Sequence, residues 1–156
     1  MFTFRKIKPL FISMAVSLGA GLFSWLLAGN PMEQYGSLYQ PPLSPPGWVF
    51  PVVWTALYLL MGIAAYQIYI TNRMGREGAL TLYAVQLLVN MVWPVLFFGF
   101  QEYWLAFLWL LLLLTLIFLT MREFWRVKPL AGALLLPYFL WVIFAGYLNL
   151  LIAINM

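Results

Sequence analysis

Five stretches of about 20 residues without a charged side chain constrain the fold of this chain more than any other feature. A membrane-spanning helix needs roughly 20 mostly apolar residues to cross about 30 Å of hydrocarbon. Of the 156 residues, 65% are hydrophobic and only 8% are charged, which is too little charge to cover a water-soluble domain. We therefore expect an all-α integral membrane protein, with one five-helix bundle over residues 1–156. The stretches are residues 9–28, 48–70, 79–99, 103–121 and 130–154.

Basic residues occur only in alternate connections, and this pattern predicts the orientation in the membrane. By the positive-inside rule, the connections that contain Lys and Arg face the cytoplasm. We therefore expect the N-terminus inside and the C-terminus outside. Since the sequence shows no transit peptide, the pattern favours a bacterial inner (cell) membrane, and no basic patch is left over for a nucleic-acid partner. The basic residues are Arg5, Lys6, Lys8, Arg73, Arg76, Arg122, Arg126 and Lys128.

The sequence contains no His and no Cys, which excludes much of enzyme chemistry. These side chains are the ones that most often bind metals, titrate near neutral pH or attack as thiolates. The apolar stretches also lack the carboxylates from which proton relays in membranes are built. We therefore predict no metal site, no required cofactor and no catalytic residue, so that binding is favoured over an enzymatic function.

The longest connection, residues 29–47, is rich in proline. Proline fixes φ, removes a hydrogen-bond donor and biases the preceding residue toward extended geometry, so we expect neither helix nor strand here. Apolar side chains such as Tyr35 and Leu38 suit packing over the end of the bundle. We predict a stiff lid over a cavity, with a plain linker as the alternative. The prolines are Pro31, Pro41, Pro42, Pro45 and Pro46.

Aromatic residues make up 19% of the chain and divide into two groups by depth. Rings near the ends of the stretches are typical of the membrane interface, whereas deeper Trp and Tyr need partners for their polar atoms and should face inward. The fourth stretch contains an unbroken run of leucine at 110–114, which predicts a lipid-facing wall. The interfacial group is Trp25, Tyr69, Tyr103, Trp104 and Trp125, and the inward group is Trp54, Tyr58, Trp93, Trp141 and Tyr147.

A few amide side chains lie inside the apolar stretches. Gln86, Asn90 and Trp93 lie on one helix face within about two turns, because residues three and four apart are neighbours on a helix. An amide in a membrane helix either makes a hydrogen bond between helices or points into a ligand site. Both alternatives stay open for Asn90 and Asn149.

Three segments resemble the translocator protein family, also called the tryptophan-rich sensory proteins or peripheral-type benzodiazepine receptors. Residues 45–62 read PPGWVFPVVWTALYLLMG, residues 86–99 read QLLVNMVWPVLFFG and residues 137–149 read PYFLWVIFAGYLN. Each segment is similar to a signature of that family, and the resemblance extends over nearly the whole chain. It implies a five-helix bundle, often dimeric, with a pocket that opens toward the first connection.

The resemblance further implies that this pocket binds tetrapyrroles such as protoporphyrin IX and other hydrophobic ligands. We expect a membrane receptor or carrier with a role in tetrapyrrole transport, sensing or stress regulation. Its partners would be the lipid bilayer, a hydrophobic small molecule and a second copy of the chain in a homodimer. The sterol motif of animal members needs a Lys or Arg after Tyr147, and neither follows. The expected ligand-binding residues are Tyr35, Trp48, Tyr58, Asn90, Trp93, Phe97, Phe98, Trp141, Ala145 and Asn149.

Two other functions stay open from the sequence. The first is light-driven breakdown of porphyrin, because Trp48 and Trp141 match positions that the family resemblance connects with that activity. The second is a dimeric membrane scaffold, since small residues such as Gly62 and Ala64 allow helices to approach closely.

Overall fold

The computed structural model describes the backbone of residues 4–156 and the side chains from residue 7 onward. Arg5 and Lys6, two of the basic residues used to predict the orientation, lie outside the described side chains. Residues 4–156 form helices and connections with no β-strand, which confirms the all-α prediction. The helices are α1 (Phe4–Leu27), α2 (Pro31–Ser37), α3 (Val49–Tyr69), α4 (Arg76–Pro94), α5 (Tyr103–Val127), α6 (Pro129–Leu134) and α7 (Leu136–Asn155), and a π-helical turn (Val95–Gly99) continues α4.

Five helical segments of this range are long and apolar enough to cross a membrane, as the sequence predicted. They pack as a closed ring, because α1 contacts α3 and α4, α5 contacts α4, α6 and α7, and α3 contacts α6. Going around the bundle, the order is therefore α1, α4, α5, the α6–α7 pair and α3. The segments are Ile7–Leu27, Val49–Tyr69, Arg76–Gly99, Tyr103–Val127 and Pro129–Asn155.

The first connection contains a helix, so the prediction of neither helix nor strand was wrong for part of it. α2 begins at Pro31, a position where the missing backbone N–H of proline costs nothing. It ends where Leu38 adopts an extended conformation. The remaining prolines all follow α2, and the chain from Gln40 to Gly47 is irregular. The stiffness expected from proline therefore applies to the second half of the connection.

The fourth span is not simply a lipid-facing wall, and that prediction was also wrong. One face of α5 is buried against α4, α6 and α7. Leu110 and Leu113 are buried on this face, whereas Leu111 and Leu112 between them are exposed to the surroundings. The buried positions alternate in steps of four and three, as expected for one face of a helix. They are Ala106, Leu110, Leu113, Ile117, Thr120, Phe124 and Val127.

At one end of the bundle, two arginine side chains donate hydrogen bonds to the last carbonyl groups of α3 and α5. Arg73 Nη1 donates to the carbonyl oxygen of Val127 at 2.9 Å, and Arg76 Nη1 donates to the carbonyl oxygen of Tyr69 at 2.9 Å. Val127 and Tyr69 are the last residues of α5 and α3, whose final carbonyls lack partners within the helix. The α3–α4 and α5–α6 connections therefore lie at the same end, as do the basic residues in or beside them, Arg73, Arg76, Arg126 and Lys128.

Candidate functional site

A neutral cavity lies inside the ring, at the end opposite to these arginines. Its volume, counted as the space that the centre of a water molecule can occupy, is about 80 Å³. Side chains of every span except α5 line it, and none of the described residues that line it is charged. The lining residues are Gly21, Ser24, Trp25, Pro31, Met32, Tyr35, Gly47, Phe50, Trp54, Tyr58, Asn90, Trp93, Pro94, Phe97, Phe98, Ala145, Leu148, Asn149 and Ile152.

A chain of buried hydrogen bonds begins at the cavity and runs into the core. Tyr58 Oη donates to Asn90 Oδ1 at 2.6 Å, and Asn90 Nδ2 donates to Tyr138 Oη at 2.6 Å. Tyr138 Oη in turn donates to Gln86 Oε1 at 2.8 Å. These bonds join the three spans α3, α4 and α7. They also give the polar side chains partners that they would lack if they faced the hydrocarbon of the membrane. Both alternatives for Asn90 thus apply together, since it bonds between helices and also lines the cavity.

A second amide joins the cavity wall to the neighbouring helix. Trp93 Nε1 donates to Asn149 Oδ1 at 3.0 Å, and Asn149 Nδ2 donates to the carbonyl oxygen of Tyr103 at 2.9 Å. The indole ring of Trp93 is therefore fixed in orientation while its face remains part of the cavity wall. Asn149 also combines both predicted roles.

Aromatic rings form the wall beside Trp93. Its indole stacks on Phe97, with ring centroids 5.2 Å apart, and meets Phe98 edge-on at 6.2 Å. Phe97 and Phe98 meet each other at 4.7 Å with their planes at 74°. Phe97 is only 3% exposed, so Trp93 and Phe98, whose planes are 80° apart, are the rings that can offer a face and an edge to a flat aromatic molecule.

The first connection lies over this cavity through α2 and the chain that follows. Tyr35 Oη donates to the carbonyl oxygen of Pro45 at 2.7 Å, and Tyr147 Oη donates to the carbonyl oxygen of Pro42 at 2.8 Å. Burial raises the pKa of the Tyr35 hydroxyl above its ordinary value of 10.0, so the group stays protonated and continues to donate at neutral pH. These two tyrosines tether the irregular segment to α2 and to α7.

The structure brings most of the sequence-predicted site residues to one place. Tyr35, Tyr58, Asn90, Trp93, Phe97, Phe98, Ala145 and Asn149 all line the cavity. Trp48 and Trp141 do not. Trp48 precedes α3 with 63% of its surface exposed. Trp141 lies behind Phe50, with ring centroids 5.8 Å apart, and its buried Nε1 has no hydrogen-bond partner.

Other lining residues were missed or misplaced by the sequence analysis. Trp25 was assigned to the membrane interface because it lies near the end of a span, yet it lines the cavity together with Gly21 and Ser24. The spacing of these three residues, at i, i+3 and i+4, is the signal of one helix face. Ser24 Oγ donates to the carbonyl oxygen of Met91 at 2.6 Å, which holds this face of α1 against α4.

The family model for the TspO/MBR family matches residues 11–154. This match covers most of the chain. The chain belongs to the TspO/MBR family. It is 36% identical over 148 residues to the tryptophan-rich protein TspO of Chlorobaculum tepidum, covering 93% of this chain and 94% of that protein.

The chain is also similar to proteins from other organisms. The chain is 38% identical to the translocator protein of Bos taurus over 138 residues, which cover 85% of this chain and 80% of the bovine protein. It is 35% identical over 140 residues to the tryptophan-rich sensory protein of Cereibacter sphaeroides, covering 90% and 87% of the two chains. TspO/MBR membership and the five apolar spans together establish an integral membrane protein.

The hydrogen-bond chain predicts a contrast between two buried tyrosines. Replacing Tyr138 with Phe leaves Asn90 and Gln86 without this partner, so we expect the free energy of unfolding to fall by about 1–3 kcal/mol. Tyr83 is the matched control, because its buried hydroxyl has no hydrogen-bond partner of acceptable geometry. Tyr83→Phe should therefore leave the free energy of unfolding unchanged or raise it. Unfolding by SDS in mixed micelles, followed by circular dichroism, measures both; equal losses would contradict the assignment.

Proposed function

We propose that this protein is a membrane receptor or carrier that binds porphyrin-like tetrapyrroles and other hydrophobic ligands in the cavity under α2. The observation that supports this most directly is the lining itself. Aromatic rings and small apolar side chains form most of it, and two fixed amides, Asn90 and Asn149, supply its polar points. Pockets for small molecules generally combine an apolar wall with a few placed polar groups.

Membership of the TspO/MBR family supports a translocator or sensory role around such a ligand. Of the two tryptophans that the resemblance connects with light-driven porphyrin breakdown, neither lines the cavity. This geometry makes ligand binding the leading proposal, with degradation as the second candidate. A homodimer remains part of the proposal, as the resemblance implies.

We propose that the cavity widens to admit a porphyrin macrocycle, because the centre of a water molecule can occupy only about 80 Å³ inside it. The covering segment is the natural part to move, because α2 is a short helix and the chain from Gln40 to Gly47 is irregular. Tyr147 Oη holds this segment to α7 through the carbonyl oxygen of Pro42, whereas the bond from Tyr35 Oη to Pro45 holds the two parts of the segment together. We propose that displacement of this segment admits the ligand from the end opposite to the arginines.

We also propose that the cavity end faces away from the cytoplasm in a bacterial inner membrane. The support is the positive-inside rule, since Arg73, Arg76 and the basic residues of the α5–α6 connection share the other end.

A steric block inside the cavity tests the binding proposal. Ala145 lines the cavity with a small side chain, so Ala145→Phe should fill the space and raise the dissociation constant for protoporphyrin IX at least about tenfold. The measurement is a tryptophan-fluorescence quenching titration of the purified protein. Leu140→Phe is the matched control, because Leu140 lies on the exposed side of the same helix. If the native protein shows no saturable binding, or if both variants bind like it, the proposal fails.

Since the sequence contains no Cys, a single introduced Cys can report which side of the membrane it faces. Met74 is 97% exposed in the α3–α4 connection, and Ser37 is exposed at the end of α2. We expect a membrane-impermeant maleimide to label Met74→Cys only in inside-out vesicles and Ser37→Cys only in intact spheroplasts. The reverse pattern would contradict the proposed orientation.

A further inference from the structure

A π-helical turn interrupts the third span where it borders the cavity. The backbone N–H of Phe100 donates to the carbonyl oxygen of Val95 at 2.9 Å, an i→i+5 bond in place of the α-helical i→i+4 bond. The turn directly follows Pro94, which has no N–H to donate to the carbonyl oxygen of Asn90 and whose ring crowds that oxygen. Such turns in otherwise α-helical segments are frequent at functional sites.

The wider turn changes which rings face the cavity. In a continuous α-helix, Phe98 would lie about 140° around the axis from Trp93, since each residue rotates by about 100°. The structure instead places Phe98 in edge-on contact with Trp93, at 6.2 Å between ring centroids, while Phe97 stacks on the same indole at 5.2 Å. The adjacent residues Phe97 and Phe98 therefore both line the cavity.

We propose that the π turn makes the cavity selective for planar aromatic macrocycles over non-planar ones. A flat ring system can stack on Phe98 or on Trp93 while its edge meets the other ring, because the planes of these two rings are 80° apart. A puckered macrocycle with saturated bridges offers no continuous face and makes neither contact well. This inference rests on the proposed tetrapyrrole binding. It restricts the preferred ligand to the oxidised, flat form of the tetrapyrrole.

The test compares two ligands that differ in planarity and carry the same substituents. These are protoporphyrin IX and its reduced form, protoporphyrinogen IX, the latter handled without oxygen and in the dark. We expect the native protein to bind the flat form more tightly, and Phe98→Leu to reduce the ratio of the two affinities several-fold, up to about tenfold. Phe100→Leu is the matched control, because Phe100 is the next aromatic residue along and is exposed outside the cavity.

The proposal is judged by the ratio of the affinities for protoporphyrin IX and protoporphyrinogen IX, and not by either affinity alone. A ratio that changes less than twofold in Phe98→Leu, or equally in Phe98→Leu and Phe100→Leu, overturns the proposal. If the native protein binds neither ligand, the proposed function itself fails. Binding of both ligands with equal affinity leaves the proposed function standing and overturns the selectivity.

A measurement without ligand tests the geometry separately. With 4-fluorophenylalanine at position 98, the ¹⁹F resonance should shift when Trp93 is replaced by Leu, because the two rings are in contact. Pro94→Ala restores the backbone N–H that proline lacks and should allow α-helical spacing, so the same Trp93→Leu change should then leave the resonance in place. A shift of equal size with and without Pro94→Ala would contradict the role of the π turn.

Discussion

The structure depends on one constraint, which is that polar side chains inside a membrane bundle need partners from the protein itself. The chain from Tyr58 through Asn90 and Tyr138 to Gln86 meets this need, except at Gln86 Nε2, and joins three spans. Because the bonds use side chains from α3, α4 and α7, they fix the distances between these three helices. The core below the cavity is thereby held at one geometry.

The same constraint shapes the cavity wall. Its amides are engaged, its lining residues carry no charge, and its rings are held by contacts with one another. Under the proposed function, a hydrophobic ligand gains contact with these rings at little cost in reorganising polar groups. The proposed entry moves the first connection, which Tyr147 Oη holds to α7 through the carbonyl oxygen of Pro42. The proposed ligand thus meets fixed rings on one side and a displaceable segment on the other.

The sequence predicts the spans well because charged residues mark their ends. Eight of the ten predicted site residues line the cavity, and seven of these eight lie in the three family-like segments. The sequence misses α2, since proline at a first helical position cannot be told from proline in an irregular segment without the structure. The sequence does not reveal the buried face of α5, because exposed residues such as Leu111 are as apolar as the buried residues beside them. The π turn has no sequence signal that separates it from an α-helix after Pro94, and Trp25 at a span end suits an interface and a cavity equally.

An experimental structure with protoporphyrin IX bound is the most direct test of the account. We predict that the macrocycle lies inside the bundle between α2 and the wall formed by Trp93 and Phe98, with α2 displaced outward. The hydrogen bonds from Tyr58 to Gln86 should be unchanged, since they hold the helices around the site. A macrocycle bound on the lipid-facing surface, or one that breaks this hydrogen-bond chain, would contradict the account.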